Sequence, residues 1–337
     1  MESVFEARAW TGVDAAAWGG RPTVLRHRLH ESPLFSLETL AGLIEIYPKA
    51  RHSLVHTGAR GDRRSWREGE IGDLTGREVI DAIAAGRMWL NLRDVNLVDD
   101  RYRDLQRAIF AEIARNVPGF ATFDERIGIL VSSPNAQVYY HADLPGQGLW
   151  QIHGRKRIYI YPPEAPFLMA EQLENAALYG FEQSLAYSPD YDRHATVVEL
   201  QPGQMAHWPL NSPHRVDNHD CLNVSMTLEY WSDDIRRRHQ VNIANGLLRN
   251  YLGVNPGSRA ISGPAFLGKA VLQAAARRSG WLGRVRAKRR PVEFRLDRQQ
   301  PPGPAGGGSG ERVAHEVLGH VAAAPGVDVA APAGPAQ

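Results

Sequence analysis

The sequence is poor in several things, and each shortage excludes a class of protein. One cysteine, Cys221, in 337 residues excludes a disulfide framework and any multi-cysteine zinc or iron–sulfur site. Charge of one sign is also missing: Lys+Arg 39 against Asp+Glu 37 leaves +2, so no global field points to nucleic acid or an anionic membrane. No run of about 18 apolar residues occurs without charge, and no membrane-spanning helix is expected. The opening Met1-Glu-Ser-Val-Phe-Glu-Ala-Arg carries acids where a signal peptide needs a positive region and an apolar stretch, so the expectation is a cytoplasmic protein. Lysine is scarce as well. Only Lys49, Lys156, Lys269 and Lys288 occur among the 39 basic residues, so arginine carries nearly all the positive charge. What is present in quantity is apolar material, 43% of the chain, enough for a substantial core.

Three changes of pattern divide the chain. Residues 1 to about 130 mix helix and strand signals. A Ser36-initiated segment has apolar residues at helical spacing, Thr75 heads a second such segment, Met88–Leu92 reads as a strand and Asp104–Arg115 as an amphipathic helix. From about 127 to 231 the signals turn to β. Short segments rich in β-branched and aromatic residues, among them Gln137–Asp143, Lys156–Tyr161 and Leu222–Tyr230, are separated by Gly, Pro, Asp or Asn. That series predicts an antiparallel barrel or double-sheet jelly roll, with an inserted helix and loop from about 164 to 185. From Ser232 helical spacing returns and stops near Gly253, and a further helix is expected over about 262–280, followed by a basic segment, 277–290. Pro301–Gly310 holds only Pro, Gly, Ala and Ser, so the tail 298–337 reads as disordered.

Chemistry concentrates in the β region. His141-Ala142-Asp143 places a His and a carboxylate two apart, on one face of a strand. His214 follows the turn-like Asn211-Ser212-Pro213. Two His and one carboxylate form the facial triad of non-haem Fe(II) oxygenases, and a barrel brings inward positions of distant strands together. By itself His-x-Asp is weak evidence, since such a pair is more often solvated or hydrogen-bonded than a metal ligand. Lys156 gives it weight: a rare lysine on an aromatic strand inside a barrel needs an anionic partner, and a dicarboxylate would supply one.

The stretch Tyr140-His-Ala-Asp-Leu-Pro-Gly-Gln-Gly-Leu-Trp-Gln-Ile-His-Gly-Arg-Lys-Arg-Ile-Tyr-Ile-Tyr-Pro-Pro163 resembles the core of the JmjC, or cupin-like, Fe(II)/2-oxoglutarate-dependent oxygenases, in the layout of the asparaginyl hydroxylase that modifies hypoxia-inducible factor. The family's H-x-D, its Gln-Ile-x-Gly-x-Lys and its aromatic strand ending in Pro-Pro are all present without a gap. Pro202-Gly203-Gln204, Pro209, Leu222-Asn223-Val224-Ser225 and a closing Trp231 continue the likeness, which covers about residues 88–231. It implies a mainly β fold with helical additions: a double-stranded β-helix (jelly-roll, cupin-like) core flanked by N-terminal α/β elements and C-terminal helices, as a single domain over 1–297 with helices over about 232–290. It also implies His141, Asp143 and His214 as iron ligands and Lys156 on the distal carboxylate of 2-oxoglutarate. Tyr139, Gln147, Asn91, Asn223 and Trp231 are further candidates for the cosubstrate or substrate pocket. Tyr139 is expected to alternate onto the face of His141. One departure stands out: the family's hydroxyl three residues before the first His is Val138 here, so that part of the clamp must be rebuilt, through Tyr139 or Ser133.

The function implied is a 2-oxoglutarate-dependent dioxygenase that uses O2 to hydroxylate a protein side chain or small molecule and releases succinate and CO2. The resemblance to the asparaginyl hydroxylase, in which C-terminal helices form a dimer, implies a homodimer through the helices over 232–290 here. Two alternatives are an inactive metal-binding regulator of cupin type and a cupin metalloenzyme that uses no 2-oxoglutarate. Other motifs fail: His315 and His320 are spaced by five rather than the four of a zincin, and Gly306–Gly308 lacks the Gly-Lys-Ser/Thr of a phosphate loop. His153, His194, His207 and His219 read as structural histidines and Cys221 as a small buried residue.

Overall fold

The structure is a computed structural model and describes residues 3–57, 67–180, 185–286 and 291–297. Lys288, Arg289 and Arg290 of the basic segment, the 298–337 tail and the His315/His320 pair lie outside the described residues. In chain order the elements are α1 Gly12–Ala17, β1 Thr23–Arg26, α2 Leu37–Ile46, β2 His52–His56, β3 Arg67–Glu70, α3 Gly76–Ala85, β4 Met88–Leu92, α4 Asp100–Asn116, β5 Phe123–Ser132, β6 Gln137–His141, β7 Gly146–His153 and β8 Lys156–Ile160. There follow α5 Ala170–Tyr179, β9 Thr196–Leu200, β10 Gln204–His207, β11 His214–Asn218, β12 Asn223–Trp231, α6 Asp233–Leu252, α7 Gly263–Arg278, α8 Trp281–Val285 and β13 Phe294–Arg295.

Local chemistry sets the helix boundaries. Ser36 caps α2 through the Thr39 N–H, Thr75 and Glu78 form a capping box on α3, and Ser232 caps α6, which ends at Gly253 in the left-handed conformation. Helix α4 begins four residues before the sequence predicts because Asp99 accepts the Arg101 N–H and starts it there. No helix among the described residues is long and apolar enough to cross a membrane.

Two sheets face each other. The larger runs β1-β10-β7-β12-β5-β4-β2-β3-β13 and the smaller β6-β11-β8-β9, antiparallel except for β13 beside β3. Leu149 and Ala206 of the large sheet meet Ile158, Ile160, Leu200 and Val216 of the small one, which makes a jelly-roll interior of cupin type with helical additions. The outer face of the large sheet carries the main core: Trp150, Met205, Met226, Leu228 and Ile129 pack on Leu40 and Leu43 of α2, Ile80 and Ile83 of α3, and Ile109 and Ile113 of α4. Strand alternation therefore turns Val224, Met226 and Leu228 of β12 outward to helices and leaves Asn223, Ser225, Thr227 and Glu229 facing the jelly-roll interior.

Residues 161–169 and 185–195, on either side of α5, pack on the outer face of the small sheet. Tyr140, Tyr161, Phe167 and Leu168 form the core of this contact. Asp192 fixes it, accepting from Tyr161 Oη (2.6 Å), Tyr187 Oη (2.8 Å) and the Arg215 guanidinium (2.7 Å), which also lies over the Tyr159 ring.

Candidate metal centre

Strands β6 and β11 are neighbours, and their register sets His214 opposite His141. Between His141 and Val138 strand β6 uses three residues where β11, from His214 to Val216, uses two, so β6 carries a β-bulge. Val138 joins the interior cluster, Tyr140 packs outside against Tyr161 with ring centroids 4.9 Å apart, and His141 turns back inside. What buried Tyr139 gives the site is its backbone carbonyl, which accepts from His141 Nδ1 at 2.7 Å.

The second histidine is held in the same way. His214 Nδ1 donates to the Ser212 carbonyl (3.0 Å), and its ring lies 4.6 Å from that of Trp208 and 4.2 Å from that of His141, centroid to centroid. With both Nδ1–H groups committed to carbonyls, both Nε2 lone pairs are free. Asp143 follows β6 directly. Its Oδ2 is 3.3 Å from His214 Nε2 and its Oδ1 3.8 Å from His141 Nε2. The Asn211 amide, on a residue with φ of 61°, donates to the Asp143 carbonyl at 2.6 Å and fixes that loop. One ligand atom from each of the three residues falls within a 4.8 Å group.

These residues fit a divalent metal. Asp143 Oδ1 is buried with no hydrogen-bond partner, a costly state for a carboxylate unless a cation meets it. Burial, reinforced by the neighbouring His141, lowers the pKa of His214 to about 4, so at neutral pH it is the neutral imidazole that coordinates metals. Two imidazoles and one carboxyl group brought together in the jelly-roll interior make the donor set of an Fe(II) facial triad.

Lys156 lies deeper in the same interior. Ile160 pairs with His214 and Lys156 with Asn218, so Lys156 is two alternations further along β8 on the inward face shared by Ile158 and Ile160. It is 3% exposed, has no carboxylate within ion-pair distance among the described residues, and is pushed down to about 7 by burial, with only Cys221 acting electrostatically against the shift. Cys221 is half-buried rather than buried, and its sulfur takes the Arg155 N–H at 3.3 Å.

The remaining candidates divide. Asn223 is fully buried, but its amide is used internally: Oδ1 accepts from Gln151 Nε2 (2.8 Å) and Nδ2 donates to the Cys221 carbonyl (2.8 Å). Ser133 is likewise committed, donating to the Ile83 and Met88 carbonyls and accepting the Met88 N–H, so it cannot replace the hydroxyl missing at Val138. Trp231 packs on the outer core and the His239 ring. Asn91 and Gln147 do reach the interior. A Cβ on Gly128 would come within 3.6 Å of Asn91 Oδ1, and Gln147 hydrogen-bonds the Glu229 carboxyl opposite it. Sequence reading missed Asn211, Trp208 and Glu229. Glu229 did carry a signal, an acid alone between apolar and aromatic neighbours in Met226-Thr-Leu-Glu-Tyr-Trp231. His207, by contrast, fits its structural reading, stacked on Trp18 with Nε2 2.9 Å from Tyr230 Oη.

With the fold and the cluster in place, comparison with solved structures gives one protein repeatedly. The chain is similar to YcfD of Escherichia coli, a ribosomal oxygenase. One YcfD structure shares 16% identity at a TM-score of 0.46, covering 86% of this chain and 76% of that one. A YcfD complex with cobalt and 2-oxoglutarate shares 18% at 0.43, covering 79% and 67%, and a complex with cobalt and succinic acid 17% at 0.42, covering 77% and 63%. At these identities the likeness to YcfD is one of fold. No protein-family model matches the sequence, and neither does any curated protein.

Proposed function

We propose that the chain is an Fe(II)- and 2-oxoglutarate-dependent dioxygenase that hydroxylates a protein side chain or a small molecule, with the oxygenase domain spanning residues 1–297. The observation that carries the reading is the His141/Asp143/His214 cluster, with a buried carboxylate oxygen that has no donor and two imidazoles whose Nε2 atoms face it. Lys156, a buried ammonium in the same interior with no carboxylate at ion-pair distance among the described residues, supplies the cosubstrate half of the reading.

In this proposal His141 Nε2, Asp143 Oδ1 and His214 Nε2 hold the iron, and Lys156 Nζ holds the distal carboxylate of 2-oxoglutarate. Iron held on one face keeps positions open for a chelating 2-oxo acid and O2, and the oxidising chemistry is theirs. The chain's own work is orientation and exclusion of water. The Tyr139 and Ser212 carbonyls fix the two imidazole tautomers, Asn211 fixes the loop that carries Asp143, and Trp208 packs on His214 within the apolar cluster of Ile158, Ile160 and Val216.

Anaerobic titration with Fe(II) and then 2-oxoglutarate tests this directly. A metal-to-ligand charge-transfer band that appears in the full chain and is lost in His214→Ala is the expected result. Iron binding without a band favours a cupin site that uses no 2-oxoglutarate, and absence of both leaves the inactive reading.

A further inference from the structure

The small net charge hides a segregation. Residues 232–297 hold fourteen Lys and Arg against four Asp and Glu, and the rest of the chain twenty-five against thirty-three. Part of the excess is answered in place. Arg249 and Arg259 meet the buried Glu174 carboxylate of α5 at 2.9 and 2.7 Å, Arg236 meets Asp233 at 2.9 Å, and Lys269 donates to the Ser258 carbonyl. Arg277 and Arg286 have no carboxylate at ion-pair distance among the described residues.

Arg286 is nevertheless built into the structure. Helix α8 packs through Leu282 on Ala177 and Leu178 of α5 and on Ile243 and Leu247 of α6, and it delivers Arg286 to the end of α5. Gly180 closes α5 there with φ of 72°, and a Cβ on it would come within 3.2 Å of Arg286 Cδ and 3.5 Å of its Nε. The arginine stem thus lies on a left-handed position that favours glycine. Its Nε is buried with no hydrogen-bond partner. So is Nδ1 of His239 on α6, whose ring stands edge-on to Trp231 with centroids 5.2 Å apart. Burial first, then Arg277, lowers the pKa of Arg286. Burial first, then Arg286, lowers that of His239 to about 4, which keeps the imidazole neutral. The charges that act on Arg286 and His239 are both positive, so an anion is what completes the cluster.

The composition of the cluster selects the anion. Two guanidiniums and a neutral imidazole offer two positive charges and several N–H donors. A carboxylate brings one charge and two oxygens, whereas a phosphomonoester brings a charge of about −1.5 to −2 at pH 7 and three acceptor oxygens. We infer that Arg277, Arg286 and His239 form a binding site for a phosphomonoester group, with Arg286 as its anchor. The neighbouring Arg238, Arg278 and Arg284 are exposed and add to the field that draws the anion in. The site lies among α5, α6 and the α7–α8 segment, outside the jelly-roll interior, and depends on neither iron nor 2-oxoglutarate.

The test is calorimetric titration of the full chain at about pH 8, where a phosphomonoester is a dianion, with methyl phosphate and with dimethyl phosphate, a monoanion of similar shape. Methyl phosphate is expected to bind at least about tenfold more tightly, and Arg286→Gln is expected to erase the difference. Because Arg286 also packs on Gly180, the exposed Arg277→Gln is the second variant. It should keep the wild-type melting temperature and bind methyl phosphate at least about fivefold more weakly. Lys156→Met should bind methyl phosphate as the wild type does, which separates this site from the ammonium in the jelly roll. A wild-type chain that binds neither phosphate, or binds both alike, overturns the proposal. An Arg277→Gln chain with wild-type affinity overturns it too, and so does a Lys156→Met chain that has lost the binding. Adenosine monophosphate names the source once methyl phosphate binds: tighter binding identifies a nucleotide, and binding no tighter identifies a smaller phosphorylated compound.

Discussion

The two ends of the jelly-roll interior use similar residues to opposite effect. Beside the β7–β8 turn the polar groups saturate one another. Gln151 Nε2 donates to Asn223 Oδ1 and the His153 carbonyl, Gln151 Oε1 accepts from Ser225 Oγ, and the Asn218 amide donates to Ser132 Oγ and the Ser133 carbonyl. One group there is left over, the ammonium of Lys156. At the other end hydrogen bonds anchor the far sides of the rings and the inner atoms face one another: Asp143 Oδ1 is buried without a hydrogen bond, 3.8 Å from His141 Nε2, and Asp143 Oδ2 lies 3.3 Å from His214 Nε2. A buried polar network whose valences close internally builds structure. One whose valences stay open is built for a ligand, because leaving them empty costs stability.

The largest effect should come from breaking the open end. Asp143→Ala is expected to weaken Fe(II) binding by at least about 100-fold in an anaerobic titration, while the protein still unfolds cooperatively near the wild-type temperature. Lys156→Met sharpens the contrast, since the same substitution should act in opposite directions on ligand and fold. Affinity for 2-oxoglutarate should fall about 100-fold by charge-transfer titration, and calorimetry of the ligand-free protein should show a melting temperature raised by a few degrees, because an unpaired buried charge is gone. A lowered melting temperature would show that Lys156 has a structural partner.

Proton linkage gives a smaller effect. Lys156 carries its charge below about pH 7 and must take up a proton above it, so 2-oxoglutarate affinity should be flat below that pH and fall about tenfold per unit above it. A profile flat to pH 9 would place the anion elsewhere. Asn223→Ala probes the closed network and should leave 2-oxoglutarate affinity within about twofold while costing about 1–3 kcal/mol of stability in denaturant titration, through the unsatisfied Gln151 amide.

The sequence made these two ends unequally legible. The jelly roll could be read because short alternating strands broken by Gly and Pro report it locally, and the convergence of His141, Asp143 and His214 because barrel interiors bring inward positions together. The roles of Ser133 and Asn223 could not be read. Both depend on partners in other strands, Met88 and Gln151, 45 and 72 residues away. The four-residue β1, which pairs with β10, carries too little periodicity to declare that it extends the large sheet. Glu229 went unread because an acid in a strand says nothing about which face it takes until the register with Gln147 and Arg126 is fixed.

The bulge in β6 has a genetic corollary. Side-chain direction along a strand alternates, so with three residues from Val138 to His141 it is the bulge that lets both face inward. A three-nucleotide deletion of Tyr139 or Tyr140 would leave the histidine two residues after Val138, the spacing that regular alternation keeps on one face, so the strand would lose its bulge and still present both side chains inward. The bulged and the regular strand are thus interchangeable ways to aim the same histidine, one codon apart.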